Sequence, residues 1–219
     1  MITVYAFCNV PKPVRALTRD LRVLWAIEEA GLSYRIHPLD FARDDLKSSD
    51  YLLVSPFGRV PAIDDDGFRL FESGAIVFYV AEKSGTLLPA DARKRALAWQ
   101  WAFAALNTIE SDFIQLAVID LFHADKAWAR ERRPACHEAA QKRLAVLEKH
   151  LAGRLFVMGN EFSAPDILMS TVLRQVQHTE LLYGAPNVLA YKERCEKRPA
   201  WRKVLAEHEK RLDDYMATV

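Results

Sequence analysis

Three cysteines in 219 residues, Cys8, Cys136 and Cys195, are too few and too widely spaced for a disulfide framework. Their odd number suits reduced thiols and a cytoplasmic protein. The six histidines show no spacing to cysteine that matches a zinc site, so no metal is expected. A formal net charge of +1 leaves no excess of basic side chains for nucleic acid or an anionic membrane surface. No run approaches about 18 consecutive apolar residues, which excludes an obvious membrane span. The first residues lack the basic-then-apolar layout of a secretory signal. No internal repeat and no low-complexity tract is present. What remains, 51% hydrophobic and 27% charged residues, is the composition of an ordinary globular protein with room for a sizeable core.

The first 85 or so residues alternate strand and helix signals, and the rest reads as helix almost throughout. Ile2, Val4 and Ala6 alternate with Thr3, Tyr5 and Phe7 as a strand does. Asp20 to Ala30 has helical spacing at Leu21, Leu24, Trp25 and Ile27, with Asp20 as N-cap and Gly31 as stop. Tyr34 to Leu39 is a second strand, parallel to the first because a helix joins them. A polar stretch with a short helix around Asp44 to Leu53 follows. Val60 to Ile63 and Phe68 to Phe71 then flank Asp65, Asp66 and Gly67, a hairpin signal. Ser73 to Lys83 is helical and ends at Gly85.

After a linker around Pro89, helices are expected over Asp91–Phe122, Lys126–Ala152, Ser163–Leu182, Pro186–Lys197 and Pro199–Tyr215. Ser163-Ala164-Pro165-Asp166 has the form of a capped helix start. The domains expected are 1–85, α/β, and 91–219, all helical.

Three stretches make the pattern specific: Ser55-Pro56-Phe57-Gly58-Arg59-Val60-Pro61-Ala62-Ile63, Leu70-Phe71-Glu72-Ser73-Gly74-Ala75-Ile76, and Asp20 to Leu32. Together they resemble the N-terminal domain of bacterial cytosolic glutathione transferases. Phe162 to Ile167 resembles the helix cap of that family's C-terminal domain. The resemblance implies a thioredoxin-like N-terminal domain followed by an all-α C-terminal domain. It implies glutathione as co-substrate, a hydrophobic or electrophilic second substrate, a role in detoxification, and a homodimer. The family's cis bond before Pro61 would let Val60 offer its N–H and C=O to the cysteinyl part of glutathione, as an added strand would. Glu72 and Ser73, at a helix start, would take the γ-glutamyl group through amides, dipole and hydroxyl. Arg59 would reach the glycyl carboxylate. Taken singly, a Val-Pro pair is also a plain strand entry, and a Glu-Ser pair a plain cap.

The chain departs from the family at the activating group. Many members use a Tyr, Ser or Cys to favour the glutathione thiolate. Here the position often held by serine is Asp20, whose charge would oppose a thiolate. The candidates for that work are Thr18, Arg19 and Tyr5, with Lys12 and Arg15 adding positive charge to a long loop between Cys8 and Arg19. Arg22 lies one helical turn from Thr18, and its plainer role is to pair with Asp20 or the first-helix acids. Cys8 is a buried or loop thiol rather than the nucleophile of cysteine-type members. Asn107 and Thr108 are candidates for lining the second substrate's pocket. The reaction is thiolate attack on an electrophile or exchange with a mixed disulfide. A non-catalytic binding or scaffold module is the alternative.

Overall fold

The computed structural model describes residues 1–218. The chain forms two compact units, Met1–Leu87 together with the segment from Pro199 onward, and Leu88–Arg198. The first unit runs β1 (Ile2–Asn9), α1 (Asp20–Glu29), β2 (Tyr34–Asp40), α2 (Ser49–Leu52), β3 (Ala62–Asp65), β4 (Phe68–Phe71) and α3 (Ser73–Ser84). The strands form one mixed sheet in the order β2-β1-β3-β4. β1 and β2 are parallel, and the other two pairs are antiparallel. This is the expected thioredoxin-like arrangement.

Helices cover both faces of the sheet, so β1 is apolar on both sides. Tyr5 and Phe7 pack with Leu39, Tyr51, Val54, Val60 and Ala62 on the α2 face. Ile2, Val4 and Ala6 alternate to the other face and are almost wholly buried, and α1 and the last helix, Pro199–Met216, are the long helices that pack on β1. The hairpin turn falls one residue later than the apolar runs suggest. Asp66 and Gly67 take φ of 52° and 94°, the two left-handed positions of a type I′ turn, so Asp65 joins β3 and pairs with Phe68. Gly31, at φ 65°, ends α1 as expected, and the Leu32 N–H reaches back to the Ile27 carbonyl at 3.1 Å.

The last helix, α9 (Pro199–Met216), lies with the first unit and not with the other helices. The stretch expected as one helical domain, 91–219, is therefore divided. The reason is the buried stripe of α9, formed by Trp201, Val204, His208 and Leu212. Trp201 sits 4.8 Å from Trp25 of α1, ring to ring. Lys203 pairs with Glu28 at 2.7 Å, and the Tyr215 hydroxyl donates to Asp40 at 2.8 Å.

The second unit is helical: α4 (Ala92–Phe103), α5 (Glu110–Phe122), α6 (Ala127–Leu151), α7 (Ala164–Leu173) and α8 (Pro186–Glu196). Asp91 caps α4 by accepting from the Lys94 N–H at 2.9 Å. The expected helix from Asp91 to Phe122 is interrupted by a π-helical segment, Ala104–Ile109, which carries Asn107 and Thr108 in exposed positions. This run is long and apolar enough to span a bilayer by length and composition alone, and within the unit its inner side packs on α6 and α7. The helix expected to reach Leu182 stops at Leu173. Ser170 and Thr171 donate to the carbonyls of Asp166 and Ile167 at 2.6 and 2.8 Å, and such back-bonding loosens a helix at its end.

The cap of α7 is a buried polar cluster. Asp166 accepts from the Ser163 N–H and the Val157 N–H, each at 2.9 Å, from the Ser163 hydroxyl at 3.0 Å and from the Tyr191 hydroxyl at 3.0 Å. Burial still pushes its carboxyl up to about 6, against the pull of those four bonds.

Candidate functional site

The sheet register gathers three loops at one end of the first unit. Ala62 opens β3 opposite Phe71, which closes β4, and opposite Tyr5 of β1. Val60, two residues before Ala62, therefore lies at the same end as Glu72-Ser73 and as the last residues of β1. Phe7 packs against the apolar cluster that contains Val60.

The segment before β3 is tightly held. The Arg59 carbonyl accepts from the Tyr51 hydroxyl at 2.6 Å and from the Ser55 hydroxyl at 2.9 Å, and the Arg59 N–H donates back to Ser55 Oγ at 3.1 Å. Gly58 sits at φ 56°, and a Cβ there would stand 2.7 Å from the Leu46 carbonyl oxygen, so no other residue fits. Val60 is buried, and the Val60–Pro61 peptide is cis, as expected. The Arg59 side chain is left exposed at the rim.

Glu72 is the second constrained point. Its backbone has φ 71° and ψ 113°, a conformation that costs a non-glycine residue on the order of 1–3 kcal/mol. That twist starts α3 directly after β4, and no side chain caps its first-turn amides. The Glu72 carbonyl accepts from the Ile76 N–H at 3.0 Å. Ser73 is buried, and Arg22 Nη1 donates to its Oγ at 3.2 Å. A guanidinium only donates, so the serine hydroxyl accepts from it and keeps its own proton for another acceptor. Arg22 thus faces Ser73, a partner the sequence reading did not consider.

The third part is the start of α1. Asp20 is the first residue of the helix rather than its N-cap, which is Arg19. Its carboxylate is fully buried and accepts from the Phe7 N–H at 3.0 Å and from the Leu21 N–H at 3.2 Å. Beyond the pairing with β3, which ends at Tyr5, Phe7 takes its partners from side chains. Asp20 takes the N–H, and Arg211 Nε of α9 donates to the C=O at 3.0 Å. Arg211 also stands 3.8 Å from the Asp20 carboxylate. The charge of Asp20 is therefore paired.

Thr18 is half-buried, with Oγ1 at 3.5 Å from both the Arg15 carbonyl and His208 Nε2. Arg15 pairs with Asp213 of α9, so one of the loop cations is committed, while Lys12 is exposed. Arg19 is half-buried at the helix start. Tyr5 lies in an aromatic setting on the α2 face, 4.8 Å from the His37 ring and 5.5 Å from that of Tyr51. Cys8 is buried within β1, and burial, followed by Asp40, pushes its thiol up. Asp40 itself is held low: burial raises it, and hydrogen bonds from the Ala42 N–H, Tyr215 and Asn9 more than offset that. No metal-binding cluster of His, Cys, Asp and Glu is found among the described residues.

His208, Arg211 and Tyr215 were not singled out from the sequence. The one available signal was His208 on a stripe otherwise made of Trp201, Val204 and Leu212. A polar residue on an apolar stripe implies a buried partner without naming it.

Residues 14–82 match the model of "Glutathione S-transferase, N-terminal domain", and residues 111–199 that of "Glutathione S-transferase, C-terminal domain". Glutathione S-transferase F14 of Arabidopsis thaliana is 30% identical over 83% of this chain and 77% of its own. Glutathione S-transferase 3 of Zea mays is 32% identical over 85% and 88%. Among solved structures, a glutathione transferase family member of Pseudomonas fluorescens with two glutathione bound has a TM-score of 0.83 at 29% identity, covering 93% of this chain and 92% of its own. A glutathione transferase of Pseudomonas putida, with one glutathione disulfide bound per subunit, has a TM-score of 0.82 at 30% identity, covering 93% and 90%.

Proposed function

The chain belongs to the glutathione S-transferase family, and from that premise we propose that it is a glutathione-dependent enzyme acting on a small electrophile. The observation that carries this reading is the register of the sheet, which brings Val60, the start of α3 and the start of α1 to one end. Glutathione would lie there with its cysteinyl backbone along Val60, ahead of Pro61. Its γ-glutamyl carboxylate would meet the amides of α3 and the Ser73 hydroxyl. Glu72 would face the ammonium and Arg59 the glycyl carboxylate. The thiol would then lie toward Thr18 and Arg19, with Tyr5 beneath.

The thiol gives its proton to solvent, and the thiolate forms a carbon–sulfur bond as the leaving group departs with its electron pair. The paired charge of Asp20 removes the objection that it repels the thiolate. Disulfide exchange is a second reading, favoured by the relative that holds glutathione disulfide. In that case the thiolate attacks one sulfur and the other leaves as thiolate.

The test is turnover of a panel of electrophiles and mixed disulfides by the pure protein, with and without glutathione. Turnover that does not depend on glutathione overturns the assignment. A homodimer is part of the reading, with Phe68 and Phe71 of the hairpin on its interface, and light scattering checks it. So are a cytoplasmic location and a role in detoxification.

A further inference from the structure

His208 has no exposure to solvent and no part in the family pattern quoted above. Its ring is fully engaged. Arg211 Nη2 lies 2.8 Å from Nδ1, and since a guanidinium only donates, Nδ1 is the accepting nitrogen. The ring proton is therefore on Nε2, which donates to the Arg15 carbonyl at 2.8 Å. Nε2 also lies 3.5 Å from Thr18 Oγ1.

The charged and titratable groups around the ring come from every element packed on it. They are Asp20 of α1 and Arg211 and Glu209 of α9; the loop meets the ring through the Arg15 backbone carbonyl, and the Arg15 guanidinium pairs with Asp213. Burial pushes the imidazole down and keeps it neutral, with Asp20 opposing and Arg211 assisting. With both nitrogens committed, the ring is not placed to carry a proton to or from a substrate. What it does is fix geometry.

The Arg15 carbonyl is the only other partner within reach of the Thr18 hydroxyl in the described network, at the outer limit of 3.5 Å. His208 donates to that carbonyl with a shorter bond. A carbonyl oxygen accepts two hydrogen bonds, so the Arg15 carbonyl takes both the His208 Nε2–H and, at longer range, the Thr18 hydroxyl, and where His208 holds it sets where Thr18 sits. Asp20 and Arg211 tie the same cluster to Phe7, which packs against the apolar cluster that contains Val60.

We propose that His208 is a positioning residue for thiolate formation: through the Arg15 carbonyl it holds the Arg15–Thr18 backbone, and so fixes the place of the Thr18 hydroxyl that meets the sulfur of glutathione. The inference rests on the functional reading above. It makes α9, which closes over β1 and α1, part of the activating apparatus.

The experiment follows bound glutathione by thiolate absorbance against pH, with kcat and KM for glutathione, in the wild type, His208→Phe, His208→Gln, Thr18→Val and the Thr18→Val/His208→Phe double variant. In His208→Phe the bound thiol should titrate about one unit higher, and kcat near neutral pH should fall about tenfold, with KM for glutathione changed less than about twofold. His208→Gln, whose amide N–H replaces the Nε2–H, should recover most of the loss. Thr18→Val should match His208→Phe, and the double variant should go no further, because the two act as one unit. If His208→Phe does not fold, His208→Asn, whose shorter amide falls short of the Arg15 carbonyl, takes its place and should show the same shift. An unmoved titration in the folded variants, glutamine behaving as phenylalanine, or additive losses in the double variant overturn the proposal alone. Absence of glutathione binding by the wild type in calorimetry overturns it together with the functional reading.

Discussion

Replacing Asp20 by serine, the residue that the family resemblance leads one to expect, should weaken the protein without improving catalysis. The carboxylate is fully buried, with Phe7 N–H at 3.0 Å and Leu21 N–H at 3.2 Å, and with Arg211 at 3.8 Å and His208 at 3.9 Å. A serine hydroxyl is neutral and too short to span to β1. The orphaned Phe7 N–H costs about 1–3 kcal/mol. Arg211, with a side chain 16% exposed, is left without its counter-charge. Breaking a buried pair costs about 3–5 kcal/mol, and the partial exposure of Arg211 reduces that share. The two terms belong to one carboxylate, so about 3–5 kcal/mol in total is expected, which lowers the melting temperature by roughly 10 °C in a chain of this size. Asp20→Asn keeps an acceptor for the Phe7 N–H and loses only the charge, so it should fall between. Calorimetric unfolding and urea midpoints measure these changes, with glutathione-dependent turnover per folded molecule alongside. A serine variant within about 0.5 kcal/mol of wild type would refute the structural role. A tenfold gain in turnover would show that the aspartate charge does oppose the thiolate.

Ser73→Ala should weaken glutathione binding by about 0.5–1.5 kcal/mol, the value of one hydrogen bond, and unchanged affinity in calorimetry would count against the assigned site. Asp166 should give the fold a specific pH dependence. Its carboxyl sits at about 6 in the folded state against an ordinary 3.8, so between those values the folded state holds a proton that the unfolded state lacks. Its contribution to stability therefore falls as pH rises through that window and is constant above it. The stability difference between wild type and Asp166→Asn should fall by about 3 kcal/mol from pH 4 to 7, and a flat difference in urea titrations would refute the shift. All three cysteines are buried, and burial raises the thiols of Cys8 and Cys195, with Asp40 and Asp166 adding to the effect respectively. The native protein should react with a thiol reagent at less than about a tenth of the rate of the unfolded chain, and a fast-reacting equivalent would show a thiol the fold does not protect.

The features legible in the sequence are those whose cause lies within a few residues. Asp66-Gly67 sets the hairpin because a type I′ turn needs two left-handed residues. Gly31 and Gly85 stop α1 and α3 for the same local reason, and Ser163 with Asp166 starts α7. The order of strands and helices, and the loops that flank Val60 and Ser73, follow from such signals joined end to end. The role of Asp20 could not be read this way. Local chemistry makes it a helix cap, whereas the structure uses it as a strand partner for Phe7, 13 residues earlier. The placement of α9 is the same case over a longer span. Periodicity shows that Trp201, Val204, His208 and Leu212 share a face, and it would serve equally well against any apolar surface. What selects the surface is a set of contacts such as Arg211 with Phe7, 204 residues apart, which leaves no pattern along the chain. Sequence periodicity records which side of an element is buried, and only the tertiary structure decides what buries it, because burial is satisfied by any apolar partner but a buried charge or imidazole only by one whose hydrogen-bonding groups fit.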